Sequence, residues 1–254
     1  MWHRDRHNAL AFAVALAALV TISCGGAAVD ATAAPGPSPT PTSSPTPTPT
    51  PPPFDAEATL SHSGKVMGEL SSFRFNLKHE GGGTEFLPGM IVEEAAGTVV
   101  NPDKISVSFS GTFGERYAYR ASLVTLGGES YMTNPLTGVW EAMPTGVSPL
   151  GFFNPTRGIA AIMLQLGQVR LAGDGAEELR LSGVLPAEAL APLLGGTLEG
   201  VTVRVDLVID SMDLYLLQAR VMGRVTPNDP GGIVRVIVVS AFDEPAVIEA
   251  PERP

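Results

Sequence analysis

Apolar and polar residues alternate with a period of two in three segments of the first half of the chain. The alternation is clearest over residues 73–78 and 104–110 and looser over 117–124. Successive side chains of a strand point to opposite faces, so this period predicts half-buried β-strands. Glycine, proline and polar residues at 81–83, 101–103 and 126–129 separate them. The pattern therefore predicts an antiparallel meander.

The second half repeats this pattern. Strands are predicted over 178–184, 201–209, 214–225 and 233–242, and the turn at 210–213 joins two of them as a hairpin.

A spacing of three and four between apolar residues predicts three helices. The first covers 54–71 and is interrupted around Gly64. The second follows Asn154, a suitable N-cap with Pro155 at the first helical position. The third, short, covers 186–194 and ends at two glycines.

These elements predict an α+β fold in one domain over residues 54–250, with a short tail at 251–254. Alternating strands leave one face of the sheet polar and the other in need of a cover. A few short helices cover a strongly curved antiparallel sheet only in part, so we expect a concave apolar space beneath the helices.

The N-terminal region has the pattern of a bacterial lipoprotein signal peptide. Arg4 and Arg6 precede an apolar run at 9–20, which is too short to span a bilayer comfortably. Small residues then lead to Cys24, the only cysteine. Thr21 stands where this pattern usually has leucine. We expect cleavage after residue 23 and acylation of Cys24; an ordinary secreted protein with a leftover thiol, or a short uncleaved anchor, are the alternatives.

Residues 24–53 are rich in proline, threonine and serine and predict a stalk. Dense proline favours extended polyproline II at about 3.1 Å per residue, which gives a reach of roughly 60 Å. The expected location is the outer face of the cell membrane, with the folded domain held away from it.

Charge and side-chain chemistry exclude several classes of function. The net charge is −10 and the basic residues are scattered, so no nucleic acid partner is predicted. The four histidines show no metal-ligand spacing, and no serine lies in a nucleophile elbow. Adjacent glutamates on a strand face opposite ways and cannot share a proton. We expect neither an enzyme nor a cofactor or metal site.

The order of these parts resembles the LppX/LprAFG family of bacterial lipid-carrier lipoproteins. The resemblance covers Cys24, the stalk and most of residues 60–250. Its most specific stretches are 70–75, 97–104, 131–140, 153–159, 181–184 and 241–245.

The resemblance implies a half-open barrel of the LolA/LppX type with helices over its mouth and a large hydrophobic cavity. It also implies binding of an acylated lipid or lipoglycan, transport of that lipid across the envelope, and an envelope lipid exporter as a candidate partner. The alternative is a stalked envelope module for interaction or sensing, with a closed core and no lipid ligand.

Twelve apolar residues are predicted to line the cavity. Six lie on the inward face of two strands: Phe73, Phe75, Leu77, Ile105, Val107 and Phe109. Four form the inner surface of the covering helix: Ile159, Ile162, Met163 and Leu166. Phe152 and Phe153 are placed at the mouth, although a hydrophobic staple at the helix end would also explain them. For the other ten, plain filling of a core is the alternative.

Overall fold

A long antiparallel sheet forms the body of the protein. In the computed structural model, residues 54–114, 116–143, 158–175, 177–194 and 196–252 are described. Within them the sheet has twelve strands. In chain order these are β1 Ser72–Glu80, β2 Thr84–Leu87, β3 Met90–Val100, β4 Lys104–Phe113, β5 Tyr117–Leu126, β6 Glu129–Thr133, β7 Trp140–Ala142, β8 Gly167–Asp174, β9 Glu178–Pro186, β10 Thr202–Asp210, β11 Leu216–Met222 and β12 Val234–Ser240.

The sheet is curved and does not close. Its order is β7-β6-β5-β4-β3-β1-β12-β11-β10-β9-β8, and β2 pairs with β3 beside this path. The two halves of the chain meet where β1 pairs with β12. The predicted half-barrel class, with few helices, is confirmed.

All of the predicted strands are present, whereas β2, β3, β6, β7 and β8 were missed. The alternation that predicts a strand is lost in β3, because Ala95, Ala96 and Gly97 replace larger apolar and polar side chains at its centre. In β8 the alternation of apolar and polar residue types is limited to Val169, Arg170 and Leu171, and the pairing with β9 shifts register at two places.

The helices are few and short. They are α1 Ala56–Glu69, α2 Ile159–Met163, a 3₁₀ helix Ala187–Leu190 and, directly after it, α3 Ala191–Leu194. Asp55 caps α1, since its Oδ1 accepts from the Ala58 N–H at 2.9 Å. The structure gives Gly158 as the N-cap of α2; the predicted start at Asn154 and Pro155 lies outside the described residues.

The predicted interruption of the first helix at Gly64 is wrong. The helix is continuous, and Gly64 is buried against α2, where a Cβ would lie 3.6 Å from the Ala160 carbonyl oxygen. Gly64 therefore lies where the two helices are in contact, with room for an ordinary Cβ contact, and it does not break the first helix.

The two faces of the sheet differ as the alternation predicts. On β1, Phe73 and Phe75 are buried on the inner face, beneath the helices, whereas Arg74, Asn76 and Lys78 are exposed on the outer face. The outer face carries exposed ion pairs, such as Lys78 with Glu94 at 3.2 Å. The apolar core thus lies on the inner face of the sheet and under α1, α2 and α3.

Candidate functional site

An apolar cavity lies between the inner face of the sheet and the short helices. Its volume is about 160 Å³, and almost no polar atom is exposed on its wall. Strands β1, β3, β4, β5, β11 and β12 form the floor, and Ile159, Leu190 and Leu194 close it from the helical side. An apolar cavity of about 150 Å³ is large enough to hold a ring the size of benzene.

The position of the cavity follows from the side chains of β3. Phe75 is paired across β3 with Gly97 and then with Val107 on β4, and the next row joins Leu77, Ala95 and Phe109. Gly97 makes room for the Phe75 ring, since a Cβ there would lie 2.6 Å from Phe75 Cε1, and Ala95 leaves the second row open at its centre.

The neighbouring row is filled instead. It joins Phe73, Val99 and Ile105, all of them almost fully buried. The cavity therefore begins where β3 changes from valine to glycine.

Three aromatic rings stand at the end of the cavity near β2. Phe86 of β2 packs edge-on against Phe109, with ring centroids 5.8 Å apart, and Phe109 packs in the same manner against Tyr119 at 6.2 Å. The Tyr119 hydroxyl donates to the Ile91 carbonyl at 3.3 Å. Burial, with a contribution from Glu93, raises the pKa of Tyr119 to about 12, so the ring remains neutral.

A second apolar cavity of about 70 Å³ lies between α2, Leu190 and strands β9 to β12. It shares Ile159, Leu190, Val221 and Ile237 with the first. The two cavities therefore adjoin each other, with two of the shared residues on the helical side and two on the sheet.

A chain of buried polar side chains closes the first cavity on one side. The Arg235 Nε donates to Thr84 Oγ1 at 2.9 Å, and Thr84 Oγ1 lies 2.8 Å from His79 Nε2. The His79 Nδ1 lies 2.9 Å from the Glu93 carbonyl oxygen. Since that carbonyl can only accept, Nδ1 carries the proton, and Thr84 donates to Nε2.

Asp229 neutralises Arg235 in this chain. One carboxylate oxygen of Asp229, Oδ2, accepts from Arg235 Nη2 at 2.5 Å and from the backbone N–H groups of Val225 and Thr226 at 2.7 and 2.9 Å. The Arg235 and Asp229 side chains are 6% and 0% exposed. Because Asp229, Thr84 and the Gly223 carbonyl bind the guanidinium, Arg235 contributes little polar surface to the cavity wall.

His79 and Asp229 in this chain of side chains have shifted pKa values. Burial lowers the pKa of His79, and the charge of Arg235 lowers it further, which outweighs the hydrogen bond to Glu93 and the charge of Asp229. Burial alone would raise the pKa of Asp229, but the N–H groups of Thr226 and Val225 and the Arg235 guanidinium outweigh burial and lower it. A neutral imidazole and an ionised Asp229 are therefore the stable forms.

The structure brings eight of the twelve predicted lining residues to the two cavities. Phe75, Leu77, Val107 and Phe109 line the first, Ile159 lines both, and Ile162, Met163 and Leu166 line the second. Phe73 and Ile105 lie in the packed core, on the wall of neither cavity. Phe152, Phe153 and Cys24 lie outside the described residues.

The polar chain was missed, although the sequence contains a signal for it. The alternation that places Phe73, Phe75 and Leu77 inward also places His79 inward, and Arg235 precedes Ile237 and Val239 in the same way. The two residues face each other across the β1–β12 pairing. A charged residue that continues an apolar stripe along a strand therefore indicates, from sequence alone, that this residue is buried together with a partner.

Neither a metal site nor a membrane-spanning helix is found in the part of the chain that the structure describes. No group of three His, Cys, Asp or Glu residues there could hold a metal ion. No helix among those residues has the length and hydrophobicity needed to cross a bilayer.

Two solved structures share this fold. LprF from Mycobacterium bovis is 16% identical, with a TM-score of 0.60 over 77% of this chain and 96% of that protein. The lipoprotein LppX from Mycobacterium tuberculosis is 15% identical, with a TM-score of 0.53 over 76% of this chain and 98% of that protein. No curated protein sequence matches the chain.

The sequence profile of the LppX_LprAFG lipoproteins matches residues 55–236, which include every strand of the sheet except the last four residues of β12. The chain therefore belongs to the LppX_LprAFG lipoprotein family.

Proposed function

We propose that this protein is a membrane-anchored lipid carrier and not an enzyme. The observation that supports this most directly is the apolar cavity between the sheet and its short helices. Its cargo is the hydrocarbon part of an acylated lipid or lipoglycan, and its role is to help that lipid cross the cell envelope.

The chemistry of the cavity fits a hydrocarbon ligand. Each methylene group removed from water contributes about 0.8 kcal/mol, so an acyl chain binds without any hydrogen bond to the wall. A volume of about 160 Å³ accepts only a short length of chain. Longer chains enter when α2 and the segment around Leu190 move outward, because Ile159 and Leu190 line both cavities from the helical side.

The anchor in this proposal is the lipid on Cys24. Acylation there, after removal of residues 1–23, holds the protein on the outer face of the cell membrane, and residues 24–53 extend the domain into the periplasmic space. Replacement of Cys24 by alanine is expected to abolish incorporation of radioactive palmitate and to release the protein from the membrane fraction. Unchanged labelling of the Cys24→Ala protein would reject this anchor.

Native mass spectrometry with lipid extraction tests the carrier proposal. The protein is purified from bacterial membranes, and we expect a stoichiometric acyl lipid bound to it. Val107→Trp places an indole in the first cavity and Met163→Trp places one in the second, so both variants should lose lipid. Ser108→Trp is the matched control, since Ser108 is exposed on the other face of β4.

The control separates loss of the cavity from loss of the fold. Circular dichroism and thermal melting must show that each tryptophan variant remains folded. A protein that carries no lipid, and takes up none from a panel of fatty acids, phospholipids and lipoglycans, would reject the carrier proposal. The function would then be better explained as that of a stalked envelope module for interaction or sensing, with a closed core and no lipid ligand. An exporter partner is tested by crosslinking in membranes once the cargo is known.

A further inference from the structure

Two hairpin turns at one end of the sheet form an exposed aromatic tip. One turn lies between β2 and β3 and contains Pro88 and Gly89; the other lies between β4 and β5. The Gly114 N–H donates to the Gly89 carbonyl at 2.9 Å, which joins the two turns. We call residues 87–90 together with 113–114 and 116–118 the double-turn tip.

The double-turn tip carries two of the three aromatic side chains that are exposed among the described residues. Phe113 is 49% exposed and Tyr117 is 71% exposed, and the two are direct partners across the β4–β5 hairpin. Phe54 is the remaining exposed aromatic side chain among the described residues. Pro88, Arg116 and Ala118 are also exposed. The tip thus combines two exposed aromatic rings with the basic side chain of Arg116, and the Glu85 carboxylate adjoins it by accepting from the Gly89 N–H at 2.7 Å.

The double-turn tip is continuous with the cavity. Phe86 lines the cavity, and the next residue, Leu87, belongs to the tip. On β4, Phe109 of the cavity wall precedes Phe113 by four residues, a distance of about 13 Å along a strand. The hairpin that forms the aromatic end of the cavity therefore also carries the exposed turn.

We propose that the double-turn tip inserts into the surface of a lipid bilayer and is the contact through which lipid is exchanged. Aromatic side chains with a polar atom, flanked by arginine, are enriched at membrane interfaces. The tip is formed by two projecting turns, so it fits a deformable lipid surface. A net charge of −10 gives no general attraction to anionic lipid, so the contact depends on the apolar side chains. The exchange step rests on the carrier function proposed above, whereas the contact does not.

A fluorescent probe beside the aromatic residues tests the contact. The full chain with Cys24→Ser has no native thiol, so Ala118→Cys provides a single site for an NBD label next to Tyr117. We expect phosphatidylcholine vesicles to shift its emission to shorter wavelength and brominated acyl chains to quench it. The matched control is Met212→Cys, because Met212 is 88% exposed in the β10–β11 turn.

The aromatic side chains must be responsible for the quenching. Phe113→Ser with Tyr117→Ser, in the Ala118→Cys protein, should weaken vesicle binding about tenfold, which corresponds to about 1.4 kcal/mol. Quenching that is absent at position 118, equal at 118 and 212, or unchanged in the double variant would overturn the proposal.

A transfer assay tests the exchange step with the lipid that copurifies with the protein, carrying a fluorescent label. If the tip contacts the bilayer during exchange, the transfer rate rises with vesicle concentration, and Phe113→Ser with Tyr117→Ser lowers it about tenfold while lipid bound at equilibrium is unchanged. A rate independent of vesicle concentration would overturn the exchange step. Failure to bind any lipid would reject the carrier function. The contact of the tip with the bilayer would then be judged only by the quenching of the label at position 118.

Discussion

Removal of the Arg235 guanidinium is expected to destabilise the protein strongly. Arg235→Met keeps a side chain of similar length along the cavity wall but leaves the Asp229 carboxylate buried and unneutralised. Breaking a buried ion pair in this way costs about 3–5 kcal/mol. Asp229 keeps two backbone N–H donors, at 2.7 and 2.9 Å, so we expect a value near 3 kcal/mol.

The assay is urea unfolding followed by circular dichroism. A loss of about 3 kcal/mol is a large share of a total stability of about 5–15 kcal/mol. For a domain of this size it corresponds to a fall in melting temperature of roughly 6–12 °C. The matched control is Arg220→Met, since Arg220 and Glu80 form an ion pair at 3.0 Å with side chains that are 37% and 51% exposed. That exposed pair is worth about 0–1 kcal/mol.

A second variant separates the buried charge from lost packing. In Arg235→Met with Asp229→Asn, no charge is left behind, so part of the lost stability should return. The reasoning is refuted if Arg235→Met and Arg220→Met have the same free energy of unfolding. It is also refuted if the loss of unfolding free energy in the double variant equals the sum of the losses in Asp229→Asn and in Arg235→Met, because the two residues would then act independently.

Three further changes test separate parts of the structure. The pKa of His79 is lowered in the folded state, so as the pH falls the unfolded chain takes up the proton before the folded protein does. The contribution of His79 to the free energy of unfolding is therefore complete above about pH 6.5 and decreases below it. Urea unfolding at several pH values should show this decrease, and His79→Gln should remove it. Gly64→Ala should raise the free energy of unfolding by about 0.4–1 kcal/mol, since the added Cβ meets only ordinary contacts, the nearest at 3.6 Å; a lower melting temperature would contradict this. Ala95→Leu projects into the first cavity and should reduce bound lipid in native mass spectra while the protein remains folded; Ala96→Leu, on the other face of β3, should not.

The sequence predicted the strands with strict alternation and the face that each turns to the core. It did so because a residue such as Phe75 or Val107 stands between two polar neighbours, and this pattern has only one regular interpretation. It missed β3 because small residues such as Ala95 and Gly97 carry no such signal. It misread Gly64, since a glycine at a helix contact and a glycine that ends a helix look alike in one sequence.

The candidate site was predicted only in part for a related reason. Alternation identifies which residues point inward, but whether they fill a core or line a space depends on what lies opposite. Phe73 and Phe75 are equivalent in the sequence pattern, yet Val99 lies beside the first and Gly97 beside the second. Strand register, which the sequence does not state, decides between the two outcomes.

The same register argument explains why a cavity forms in a domain with an ordinary core. Gly97 admits the Phe75 ring, because a Cβ there would lie 2.6 Å from Phe75 Cε1, and Ala95 leaves the adjacent row open. A five-residue helix and the segment around Leu190 then cover this region. The sheet is held by continuous ladders of backbone hydrogen bonds, whereas these short elements depend mainly on side-chain packing. A bound chain would thus enlarge the space by moving the helices, and the sheet would keep its shape.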